Sequence, residues 1–196
     1  MKPRTLICFA LLLFACVTAG AYFLLRGSQP VLLEAVSEAP DPAEIADGQV
    51  PLSEAPAGED PFAAFTEEQR AAMDEVLALV NAARQEASLA PLTLSPVLCT
   101  AAQTRAGECV STFSHTRPDG TSYKTALTDL GVTTGYCGEN AATGHTTAQQ
   151  AVERWLQSEG HRANILNSNY TQLGVGMAPN TGSVYRGCAW VQLFTS

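Results

Sequence analysis

The chain has 196 residues, 46% of them hydrophobic, and a formal net charge of −8. That length suits one domain with additional segments. The acidic balance, with no clustered Lys or Arg, argues against nucleic acid and anionic membrane surfaces as partners.

Lys2 and Arg4 precede an apolar run from Leu6 to Leu25, and Arg26 closes it. Residues 1–27 therefore read as an export segment, to be kept apart from the fold. Ala19-Gly20-Ala21 offers a small-x-small cleavage site after Ala21. Uncleaved, the run would rise about 1.5 Å per residue and just span a bilayer core of roughly 30 Å. The two outcomes predict a secreted or periplasmic protein, or one tethered to the membrane. Lipid attachment at Cys16 is disfavoured by the bulky Phe14 two residues earlier.

Residues 28–60 carry eight acidic side chains, five prolines and no Lys or Arg. Such a segment cannot bury enough apolar surface to offset its ordering entropy, so it reads as a disordered acidic Pro/Ala-rich linker or propeptide. Residues 61–196 hold eleven acidic and eight basic side chains, a net −3, and are expected to form the folded domain.

Within the domain, Thr66 and Gln69 have capping-box spacing. Met73, Val76, Leu77, Val80 and Ala83 then recur at helical intervals. Ser95-Pro96 restarts a helix after a break. Leu98, Ala101, Ala102 and Cys109 form its small inner face. Pro118-Asp119-Gly120 marks a turn, and a short helix is expected to end at Gly131. The Gly-rich "GYCGENAATG", residues 135–144, reads as a short strand or extended piece. Thr147 and Gln150 open another helix, with Gly160 expected to stop it. The strand-like runs "TQLGVGMA" and "SVYRGCAWVQLF" predict a terminal hairpin. Helices first and strands last predict an α+β layered domain.

Of six cysteines, Cys99, Cys109, Cys137 and Cys188 lie in the domain. An even count in an exported chain predicts two disulfides. Cys99 and Cys109, about 15 Å apart on one helix, are beyond disulfide reach of each other. Two patterns stay open, 99–137 with 109–188 and 99–188 with 109–137. No C-x-x-C pair supports a zinc–thiolate site.

The three histidines are His115, His145 and His161. His145 reads as a solvated loop residue. His115 and His161 follow expected helix ends, where the helix dipole alone would favour them. Glu139, between a cysteine and small apolar residues, must find a partner if buried. Two histidines and one carboxylate are a set of the kind that binds Zn²⁺ with open positions, although separations of 24 and 22 residues are not a local metal motif. No H-E-x-x-H, G-x-S-x-G, Walker or dinucleotide-binding motif occurs.

The stretches "FSHTRPDG", "GENAA", "AVERWLQSEGHRANILNSNYTQLGVGM" and "WVQLF" occur in that order. In this they resemble the CAP superfamily of cysteine-rich secretory, antigen 5 and pathogenesis-related 1 proteins, also called SCP domains. The resemblance covers about residues 66–196 and is closest to the bacterial branch. It implies an α-β-α sandwich with a small antiparallel sheet between helices. It also implies a central cavity lined by histidines and acidic residues, here His115, Glu139 and His161, with Asn140, Trp155 and Arg162 nearby in a structural role. Many plant and animal members carry a glutamate where this chain has Ser158, so one negative charge is missing. Family members are reported to bind divalent metals, and some bind sterols or other lipids.

Three functions follow as expectations. The first is an exported binding module whose cavity takes Zn²⁺ or another divalent metal, or a small apolar ligand. The second is a metal-assisted hydrolase of peptides or cell-envelope material, with Glu139 as base and Ser158 as a helper. The third is a non-catalytic extracellular interaction or stress-resistance module in which the polar set is structural.

Overall fold

The chain divides into two units, Met1–Val31 and Leu32–Ser196. The structure, a computed structural model, describes residues 59–182 and 186–196, all in the second unit. The expected export segment and nearly all of the expected acidic linker lie outside the described residues. No helix among the described residues is long and apolar enough to cross a membrane.

The elements, in order, are α1 (Glu67–Glu86), β1 (Thr93–Leu94), α2 (Pro96–Ser111), α3 (Lys124–Thr128), β2 (Cys137–His145), α4 (Ala148–Gln157), α5 (Glu159–Ile165), β3 (Gln172–Asn180) and β4 (Gly187–Thr195). The sheet order is β1-β3-β4-β2. β4 pairs antiparallel with both β2 and β3, while two-residue β1 adds a parallel pair at the β3 edge. The expected α+β sandwich is therefore present, with a mixed rather than purely antiparallel sheet.

Alternation along the strands sorts side chains onto two faces. Ala141, Ala178, Ala189, Val191 and Leu193 pack beneath α2 and α3 with Leu98, Ala102, Ala106 and Tyr123. Ala142, Leu173, Val175, Trp190 and Phe194 pack on the other face against α1, α4 and α5, with Met73, Val76, Val80, Trp155 and Ile165.

The sequence punctuation is largely realised. Thr66 accepts from Gln69 N while Gln69 Oε1 accepts from Thr66 N, the complete capping box. At α4 only half of the expected box forms. Thr147 accepts from Gln150 N, but the Gln150 side chain accepts from Thr146 instead. Ser95 stands at the start of α2 without capping it through its side chain. Of the Gly-rich stretch 135–144, the part from Cys137 on belongs to a nine-residue strand, Cys137–His145, longer than the short strand or extended piece expected. Gly160 does not stop a helix but lies inside α5, because the break falls earlier. Ser158, in extended conformation (φ −95°, ψ 126°), ends α4 and starts α5.

The buried Arg84 ties α1 to the chain after α5. Among the described residues it has no carboxylate partner, and its guanidinium instead donates to the carbonyls of Ala90, Ile165, Asn167 and Tyr170. Four carbonyls satisfy it where water cannot reach.

No bridge joins Cys99, Cys109, Cys137 and Cys188 in the structure, so neither expected pairing is shown. Cys99 and Cys188 pack with the α1-side cluster, whereas Cys109 and Cys137 pack with the α2-side cluster, so 99–137 and 109–188 bridges would have to cross the sheet. The Cys99 sulfur accepts from Val175 N, and Cys188 faces Pro179 across the sheet ladder. Those two points of β3 are four residues apart, about 13 Å, well beyond disulfide reach. Burial pushes the thiols of Cys99 and Cys109 up to about 11, which keeps both protonated and unreactive.

Candidate functional site

Glu139 belongs to the β2 face that looks at α2, and it is fully buried. Its carboxylate receives the Arg105 guanidinium, Nε to Oε2 at 2.8 Å and Nη2 to Oε1 at 3.3 Å. Nδ1 of His115 lies 2.6 Å from Oε1. A carboxylate paired with arginine acts as acceptor, so in the neutral ring Nδ1 carries the shared hydrogen. Nε2 is then the acceptor, and it is buried without a hydrogen-bond partner among the described residues.

Arg105 is the group that sequence reading missed. It is fully buried in α2 and also donates to the Ser114 carbonyl at 2.6 Å and to Glu108. Burial alone would lower its pKa, but the hydrogen bonds and charge of Glu139 outweigh that and raise it. Glu108 in turn binds Arg117, and Arg117 reaches Asp129 at 2.8 Å. The result is a chain of alternating charges running from the buried strand to the surface. A signal was present: Arg105 falls at helical spacing on the small inner face of Leu98, Ala101, Ala102 and Cys109, and an arginine there requires a buried acid.

Glu108 links this chain to pH. Burial would raise its pKa, but hydrogen bonds from Arg117 and Arg105 hold it below its ordinary 4.5. A depressed carboxylate stabilises the fold above its unfolded value, and that stability is lost as pH falls through the folded value. Urea unfolding at pH 6 and pH 3.5 will therefore show a larger acid loss in the native protein than in Glu108→Gln. Equal losses in both would dissociate Glu108 from the network.

His161 is fully buried in α5. Its carbonyl accepts from Asn140 Nδ2, which also donates to Gln192. Asn164 donates to the Glu139 carbonyl and to Asn140 Oδ1. The Glu139-Asn140 pair thus works in both layers: Glu139 grips α2, and Asn140 grips α5. His145 ends β2, where burial and then Arg154 push its pKa down. Ser158 is half-buried at the α4–α5 break, and its hydroxyl bonds none of the candidate residues. Trp155 is buried in the α1-side core, while Arg162 points outward and is exposed.

A model of the cysteine-rich secretory protein family, the CAP domain, matches residues 77–194. The chain belongs to that family. Among curated relatives, the uncharacterized protein YkwD of Bacillus subtilis is 35% identical over 122 residues, 61% of this chain and 45% of YkwD. The uncharacterized membrane protein YlbC of the same organism is 46% identical over 65 residues, 33% of this chain and 19% of YlbC. This chain thus spans less than half the length of either. Among solved structures, an extracellular SCP-domain protein from Bacillus anthracis is similar at TM-score 0.57 and 28% identity, covering 67% of this chain and 44% of that one. An outer surface protein from Borrelia burgdorferi shares the fold at TM-score 0.58 and 21% identity, covering 67% of this chain and 95% of its own.

The divalent metal that the CAP resemblance implies does not fit the donors in this chain. Both Glu139 oxygens are engaged, by Arg105 and His115. Among the described residues no group of three or more His, Cys, Asp or Glu side chains is gathered to hold an ion. Concave space occurs instead on the outer side of α5. Cavities of about 410 and 310 Å³ share Leu156, Arg162 and Leu166 and extend to Ala163 and Glu159 on one side and to Ala83, Glu86 and Ala87 of α1 on the other.

Proposed function

We propose that this CAP protein is an exported, non-catalytic binding module. Its ligand is a small molecule with an apolar body, held in the groove between α1, α4 and α5. The observation that carries the reading is the commitment of Glu139 to Arg105, which removes the only carboxylate of the candidate set from base or metal chemistry. A general base must be able to take a proton from a substrate it touches, and an ion-paired, fully buried carboxylate does not meet that requirement. The groove supplies what the polar cluster lacks, a solvent-reachable concave surface floored by Leu156, Leu166, Ala83 and Ala163. Export is supported by the N-terminal apolar run and by the extracellular SCP-domain relative.

Native mass spectrometry of the full chain, purified from its own compartment, tests this reading. A bound organic molecule in near-unit ratio, lost in Ala163→Glu, is expected. Stoichiometric zinc that disappears in His115→Ala would sink it, as would peptide, ester or peptidoglycan turnover that Glu139→Gln abolishes.

A further inference from the structure

The groove carries charge as well as apolar surface. Arg162 lines both cavities, Glu159 lines the first and Glu86 the second. All three are exposed. Glu159 and Arg162 stand three residues apart on α5, a spacing at which opposite charges commonly pair. Among the described residues, however, neither they nor Glu86 form an ion pair or side-chain hydrogen bond; the pairs present involve Asp60, Arg70, Arg105, Glu108, His115, Arg117, Asp129 and Glu139. One cation and two carboxylates therefore flank an apolar floor with none of them paired to another side chain among the described residues.

We propose that the groove recognises a zwitterion with an apolar body: a short apolar peptide with free ends. Its carboxylate meets the Arg162 guanidinium, whose planar fork matches a carboxylate's two oxygens. Its ammonium group meets one of the two carboxylates that flank Arg162, Glu86 on the α1 side or Glu159 on the other, and its apolar side chains cover Leu156 and Leu166. A purely anionic amphiphile is disfavoured because the two glutamates outnumber the one arginine and repel a second negative charge. A purely cationic one leaves Arg162 facing like charge. The proposal rests on the groove being the ligand site. It adds that charge at both ends of the ligand decides binding, with Arg162 as the specificity-determining residue.

Calorimetric and ¹⁵N NMR titrations of the full chain with Leu-Leu, N-acetyl-Leu-Leu-amide and dodecanoate separate the cases. Leu-Leu is expected to saturate and to shift the Arg162 side-chain signal. Loss of one charge-assisted contact is worth about tenfold in affinity, so Arg162→Ala should weaken Leu-Leu by about that factor. Glu86→Gln with Glu159→Gln should do likewise, and the blocked dipeptide should bind the native protein no better than the free one binds these variants. Equal binding of free and blocked dipeptide overturns the proposal while leaving the groove as an apolar site. Preferential binding of dodecanoate overturns it in favour of an acidic amphiphile. Failure of all three probes, with no shift of the Leu156 or Ala163 signals, removes the groove reading as well.

Discussion

Replacing Arg105 by methionine is expected to destabilise the domain by about 3–5 kcal/mol, the usual cost of leaving one member of a buried ion pair without its partner. Glu139 is fully buried, and among the described residues Arg105 and His115 are the side chains at hydrogen-bond distance from its carboxylate. The loss should appear as a fall in the urea midpoint and a melting temperature lower by about 10–20 °C, as expected for a domain of this size. The Ser114 carbonyl loses its donor as well, so the segment carrying His115 should loosen, with the His115 ring signals broadening in NMR spectra. The double variant Arg105→Met/Glu139→Leu is expected to recover much of the stability, because it removes the stranded charge rather than exposing it. A single Arg105→Met variant that loses less than about 1 kcal/mol, within the range of an exposed pair, would show that the pair is solvated rather than buried.

Alanine at Gly176 is the second large effect. A Cβ there would lie 2.1 Å from the Ala102 carbonyl oxygen, 2.2 Å from its carbon and 2.5 Å from Gln103 N. These are helix backbone atoms, which cannot rotate aside, so α2 would have to lift from β3. That lift breaks the pair of hydrogen bonds between Gln103 and Met177, Nε2 to the carbonyl at 2.8 Å and Met177 N to Oε1 at 3.1 Å. Overpacking of this kind costs about 3 kcal/mol or more when the obstruction is rigid. Gly107, in the same helix but with nothing within 4 Å of a Cβ, provides the control. Gly107→Ala is expected to stabilise by up to about 1 kcal/mol through helix propensity. The same substitution thus changes sign between a strand position seated under α2 and an open position on α2 itself, and equilibrium unfolding of the two variants reads it directly. Equal effects at both sites would disprove the close seating of α2 on the sheet.

The Gly176 contact explains why the composition of α2 looks unlike a core helix. Its inner face is small and weakly amphipathic because the helix lies directly on strand backbone, and bulk there would push it off. Period and punctuation were enough to recognise the helix, but nothing local announced how close it comes to β3. Gly174 repeats the arrangement one pleat earlier, where a Cβ would meet Leu98 backbone at 2.3 Å.

Local signals set a good deal of this protein. The α1 capping box, the helical spacing of Met73, Val76 and Val80, the terminal hairpin and the family motifs around His115, Glu139 and His161 are encoded within stretches of a few to some twenty residues. Backbone hydrogen bonding and side-chain periodicity act over that range. What only the tertiary structure decided is which partner each polar group takes. Glu139 carries a demand for compensation in any buried setting, but the demand is met by Arg105, 34 positions earlier in the chain, and not by a metal. The cysteines likewise satisfied a counting rule, but the sheet separates Cys99 and Cys188 from Cys109 and Cys137, and the length of β3 between Val175 and Pro179 separates Cys99 from Cys188. Charge pairing and thiol pairing depend on spacings of a few ångströms between distant segments, and those spacings are set by the packing of the layers.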